Sequence, residues 1–233
     1  MNVYSASLRR LLLWLWMNHG APRLDDQIRR HPGIRPRNVT VTDDERTCLL
    51  NAANDHMRLF ILLCSDLAIR AGTAVKINAE NYNKERGILR FTTKKEEVVT
   101  LPVTQEIREM LDKCSMETSQ SFIRQLWCAE SSGKQGRGRR PGGGKIGRGQ
   151  LTQDFAHLKD AVGIKRRITP HDLRRTTAVA MFEQTGDIRD VQSLLGHRSL
   201  QSTIWYLDHD LRPVKRSTLE LIKRPAWARR AVA

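Results

Sequence analysis

The sequence predicts a mainly α-helical fold with one small antiparallel β-sheet, on three observations. Apolar residues recur at helical spacing through most of the chain, between capping and stopping residues. One segment, "GILRFTTKKEEVVTLPV" over 87–103, alternates with the period of two that a strand requires. A length of 233 residues, 39% of them hydrophobic, suffices for one sizeable core plus a small appendage.

Residues 5–19, carrying Leu11, Leu12, Trp14, Leu15 and Trp16, read as an apolar-rich helix that needs a partner surface. In residues 20–41, Pro22, Pro32 and Pro36 stand among Arg23, Arg29, Arg30, Arg35 and Arg37, the composition of an extended basic linker, and a domain boundary is placed there. Thr42 with Glu45 three positions on is a capping box opening a helix. The next helix, "MRLFILLCSDLAI", is apolar on most sides and therefore central, and its end delivers Arg70. A short helical stretch leads to the β segment, a hairpin or meander with Lys94 and Lys95 near its turn and the return strand from Glu97 onward.

Helices over about 104–114 and near 120–128 precede "SSGKQGRGRRPGGGKIGRG" at 131–149. There glycines interleave with Lys134, Arg137, Arg139, Arg140, Lys145 and Arg148 and no acid, a composition that buries no core. It is either a loop that settles onto phosphates or a plain insertion. The chain is helical again from 150, with Gly163 as its stop. Thr169-Pro170 with Asp172 then marks a helix start. Gly186 ends that helix and Asp187 starts the next. Gly196 ends this one in turn, and Ser199 caps a last short helix carrying Tyr206.

Forty Lys+Arg against twenty-five Asp+Glu give a net charge of +15, which points to a polyanionic partner, double-stranded DNA above all. An anionic membrane surface is the lesser competitor, and no run approaches the roughly twenty apolar residues of a membrane span. Cys48, Cys64, Cys114 and Cys128 are widely spaced and form no metal-binding pattern; they read as reduced thiols. The expectation is a soluble, cytoplasmic, nucleoid-associated protein.

His171 and Arg174, three apart near a helix N-terminus, face one way toward a place that suits an anion. His197 follows a glycine-terminated helix, and Tyr206 stands nine residues beyond it. Singly each has a plain explanation as surface charge or packing; together they form a pattern.

With "DLAIR" (Arg70), "TTKKEEVVTLP" (Lys94), "HDLRRT" (His171, Arg174), "LLGH" (His197) and "STIWY" (Tyr206) in this order, the chain resembles the tyrosine recombinases, or phage integrase family, from about Thr42 to Asp210. The resemblance implies the recombinase catalytic fold over 42–210 and a site-specific DNA recombinase. Residues 1–41 would be the last helix and linker of a core-binding domain, and 211–233 a basic tail that packs on a neighbouring subunit or on its own domain. Tyr206 would be the nucleophile that forms a 3′-phosphotyrosine. Arg70 and Arg174 would hold the phosphate, His171 would take the phenol proton, and His197 would hydrogen-bond the phosphate. Lys94, with Lys95 as its rival, would protonate the leaving 5′-oxygen.

The implied assembly is a homotetramer on DNA, with DNA-bending accessory proteins and without cofactor or metal. Phosphate contacts are assigned to Lys134, Arg137, Arg139, Arg140, Lys145 and Arg148. The alternatives are an enzyme like the type IB topoisomerases or an inactive DNA-binding remnant. Two positions depart from the family pattern: Thr73 stands three after Arg70 where an acid is usual, and Ala68 stands two before it where glycine is usual.

Overall fold

The computed structural model describes residues 2–24, 39–93, 97–132 and 146–207. The chain divides into two units, Met1–Arg37 and Asn38–Ala233. In the first, helix α1 spans Asn2–His19 and stops at Gly20, whose φ of 63° is left-handed. No helix among the described residues is long and apolar enough to cross a membrane.

The second unit opens with α2 (Asp43–Ala52), started by the capping box that Thr42 and Glu45 form. Helix α3 (Asp55–Ser65) is the hub of the core: Leu59, Phe60, Ile61, Leu62 and Cys64 are fully buried, as its all-round apolar sequence requires. It ends earlier than "MRLFILLCSDLAI" suggests. Ala68 sits at φ 49°, which a continuing right-handed helix excludes, and Arg70 is instead the N-cap of the short helix α4 (Ala71–Ala74).

A 3₁₀ turn (Ala79–Asn81) leads into a three-stranded antiparallel meander of β1 (Tyr82–Asn83), β2 (Ile88–Thr92) and β3 (Val98–Pro102), in sheet order β1-β2-β3. Leu89 and Phe91 of β2 face Leu101 and Val99 of β3 across the register, and all four are buried. Helices α5 (Gln105–Asp112) and α6 (Phe122–Ser132) pack beside α3. Helix α7 (Arg148–Ala161) begins within the glycine-rich stretch, two residues before the helix start expected at 150.

Helix α8 (Pro170–Thr185) starts at a capping box in which both the N–H and the hydroxyl of Thr169 donate to Asp172 Oδ2 at 2.7 Å. Gly186, at φ 68°, closes it. Helix α9 (Ile188–Leu195) is capped by Asp187 and closed by Gly196, and α10 (Leu200–Leu207) follows. These three helices share a small second core of Ala178, Val179, Val191, Leu195 and Leu207, which joins Ala68. That cluster brings the left-handed turn before Arg70 up against the helices that carry His171, Arg174 and Tyr206 and flank His197.

Candidate active site

Arg174 is almost completely buried, at 3% exposure. Its Nη1 donates to the carbonyl of Ala68 and its Nη2 to that of Leu195 at 2.9 Å. Leu195 is the last residue of α9, so its carbonyl has no partner within the helix, and a guanidinium there satisfies it and complements the negative helix end. The Ala68 carbonyl is aimed at Arg174 by the left-handed turn. Both acceptors are backbone, and the buried Nε of Arg174 has no hydrogen-bond partner. The guanidinium is thus oriented without a carboxylate to neutralise it.

Arg70, at the start of α4, lines one groove of about 770 Å³ with Lys76, Thr93, Arg148, His171 and Arg174. The wall is cationic, and the buried hydroxyl of Thr93 in it has no partner. Desolvation holds both Arg70 and Arg174 below the ordinary arginine range, Arg174 down to about 10, where it remains charged at neutral pH. Burial also lowers the imidazole of His171, helped by Arg174, so its neutral form prevails there.

His197 follows the left-handed Gly196, where an added Cβ would meet Val99 Cγ2 at 2.6 Å and Thr93 Cγ2 at 2.9 Å. Its N–H donates to the carbonyl of Gln192 at 3.1 Å, and the Gln192 side chain returns a bond to the His197 carbonyl at 2.8 Å. Its Nδ1 lies 3.1 Å from Oγ1 of the fully buried Thr203, which fixes the ring plane.

Tyr206 stands between the two imidazoles. Its ring lies edge-on to His171, with centroids 5.2 Å apart, and to His197 at 5.8 Å. Its hydroxyl donates to the main-chain carbonyl of His171 at 3.4 Å, not to the ring nitrogen expected to take its proton. Burial pushes the phenol up to about 12, although Arg174, Arg175 and Arg70 all pull it down. At rest the hydroxyl is therefore protonated.

The structure brings Arg70, His171, Arg174, His197 and Tyr206 together. Lys94 lies outside the described residues, as do Lys134, Arg137, Arg139, Arg140 and Lys145. Arg148 is described, and it opens α7 on the groove wall near Gly72. Sequence reading missed Thr203 and Arg175. A threonine three before the tyrosine was a visible but unused signal for the first. The second stands beside Arg174 and carries no motif that sets it apart from the chain's other arginines.

The phage integrase family profile matches residues 40–212, and the chain belongs to this family. It is 40% identical over 86 residues to the putative integrase/recombinase y4qK of Sinorhizobium fredii, a stretch covering 36% of this chain and 28% of that protein. It is 38% identical over 68 residues to the tyrosine recombinase XerC of Mesorhizobium japonicum, covering 29% of this chain and 22% of that one. The matched stretches thus span less than a third of these relatives' length. Among solved structures the fold is similar to a lambda integrase dimer bound to a COC′ core site, with a TM-score of 0.67, 19% identity and coverage of 91% of this chain and 60% of that one. The family is one of tyrosine recombinases and integrases, so the class expected from the sequence holds, as does the mainly helical fold with its small antiparallel sheet.

Proposed function

We propose that this chain breaks and rejoins DNA strands at specific sites through a covalent phosphotyrosine. The oxygen of Tyr206 attacks a backbone phosphorus, the bond from phosphorus to the 5′-oxygen breaks, and a 3′-phosphotyrosine forms. The phenol proton passes to His171, and Lys94 supplies one to the departing 5′-oxygen. Arg70 and Arg174 hold the non-bridging oxygens, and His197 hydrogen-bonds one of them. One phosphodiester replaces another, so a 5′-hydroxyl reverses the step without any outside energy source.

The observation that carries this reading is the convergence on one phenol of two arginines and two histidines from separate segments. The buried Nε of Arg174 supports it: an unsatisfied cationic donor is costly unless an anion completes it, and a phosphate oxygen is such an anion. In the resting chain the hydroxyl donates to the His171 carbonyl and is also bonded by Arg174, a residue of the groove wall.

The neighbours solved as a lambda integrase tetramer on a Holliday junction and as XerH on difH support DNA as partner and a tetramer as the working assembly. Arg148, with Lys134, Arg137, Arg139, Arg140 and Lys145, would contact backbone phosphates and make binding fall steeply with salt. Residues 1–41 would be the end of a core-binding domain, and 211–233 a tail for contact between subunits.

The test is a pool of nicked duplexes with a randomised centre, incubated with the chain and separated in SDS. An adduct formed by the wild type, lost in Tyr206→Phe and reduced at least about a hundredfold in Arg174→Ala, is expected. DNA binding without any adduct would contradict the proposal and leave a binding remnant. Relaxation of supercoiled plasmid without site preference would mark a topoisomerase instead.

A further inference from the structure

We propose that Arg175 is a positioning residue for Tyr206, clamping its main-chain carbonyl and holding a cation beside its ring. This rests on the reading of Tyr206 as nucleophile and adds a residue to it. Arg175 is 4% exposed, so it cannot act as a surface contact to DNA. Its Nη1 donates to the main-chain carbonyl of Tyr206, and its guanidinium carbon lies 5.9 Å from the centre of the Tyr206 ring.

Tyr206 lies in α10, and its main-chain carbonyl is met by a side chain from α8. The guanidinium of Arg175 holds that carbonyl with a charge-assisted bond. Adjacent side chains on a helix diverge by about 100°, so Arg174 and Arg175 reach different places from neighbouring positions of α8. Arg174 ties the turn at Ala68 to the end of α9, while Arg175 ties α8 to the backbone of Tyr206 in α10. The two arginines together set the phenol's position relative to the groove. Lysine at 175 keeps a charge but loses the planar fork, and methionine keeps volume but neither property.

The experiment compares Arg175→Met and Arg175→Lys with the wild type in single-turnover adduct formation at saturating nicked DNA. It is paired with ¹⁹F NMR titration of 3,5-difluorotyrosine placed at position 206 in the DNA-free chain. Arg175→Met is expected to slow adduct formation about a hundredfold with DNA affinity unchanged, and Arg175→Lys to recover part of the rate. The fluorinated phenol is expected to titrate about one unit higher in Arg175→Met. Adduct formation at the wild-type rate in Arg175→Met overturns the proposal. So does equal loss in both variants with an unmoved fluorine titration, which is the mark of a merely structural arginine. If Arg175→Met fails to fold, Arg175→Lys decides: the wild-type rate and titration overturn the proposal, and a slowed rate with intact DNA affinity supports it. Should the wild type itself form no adduct, the reading of Tyr206 as nucleophile fails, and the fluorine shift still decides whether Arg175 governs the phenol.

Discussion

The carbonyl of Ala68 accepts a hydrogen bond from Nη1 of Arg174, a residue 106 positions away, and does so from a left-handed backbone conformation at φ 49°. A residue with a Cβ pays about 1–2 kcal/mol for that conformation. Glycine would relieve it, but would also remove a fully buried methyl, which contributes about 0.8 kcal/mol, and add chain entropy on unfolding. These effects nearly cancel. Ala68→Gly is therefore expected to leave stability within about 0.5 kcal/mol and to keep adduct formation. Ala68→Val, β-branched in the left-handed region, is expected to lose about 2 kcal/mol or more and to misplace Arg174. Urea melts of both variants check this.

Gly196→Ala is expected to be worse than either. The new methyl would sit 2.6 Å from Val99 Cγ2, at a φ of 56° that already disfavours it. Strand β3 would have to move, at a cost of about 2–4 kcal/mol, and His197 with it. Thermal unfolding together with adduct formation measures both consequences.

Thr203→Val removes the hydroxyl beside His197 Nδ1 and keeps the shape. Stability should fall by about 1 kcal/mol, while adduct formation should fall about tenfold because the imidazole loses its fixed plane. Thr203→Ser should restore most of the rate. An unaltered rate in Thr203→Val would show that His197 is oriented by other contacts.

Acid stability should depend on Glu45. Arg166 donates from Nε at 2.5 Å and from Nη2 to its carboxylate, and this bonding holds the carboxyl down to about 2 from its ordinary 4.5. A depressed carboxylate stabilises the fold above its unfolded pKa and loses that contribution as pH falls from about 4.5 through 2. Arg166 is half-exposed, so the contribution is about 1 kcal/mol rather than the full shift. Glu45→Gln should remove it, measured as a flatter dependence of unfolding free energy on pH in that window.

The elements set by local chemistry were readable in the sequence. Thr42 with Glu45 and Thr169 with Asp172 announce helix starts through side chains three residues apart, and Gly186 and Gly196 announce helix ends. The site residues were readable because their spacing is a pattern. What escaped was set by contacts between distant segments. An alanine gives no sign that it will turn left-handed, so α3 was read too long and Arg70 was placed on its end. Arg175 reads as one more charge in a basic chain, yet in the folded chain it is buried and bonds the carbonyl of Tyr206. The Tyr206 hydroxyl was expected at the His171 ring; it lies on the main-chain carbonyl, a difference that no spacing encodes.

The most direct measurement is mass spectrometry of the peptide that remains attached to DNA after proteolysis of the SDS-resistant adduct. The predicted result is a phosphodiester between the oxygen of Tyr206 and a DNA 3′-end, with a free 5′-hydroxyl on the released strand. DNA joined to any other residue, or joined through its 5′-end, would contradict it.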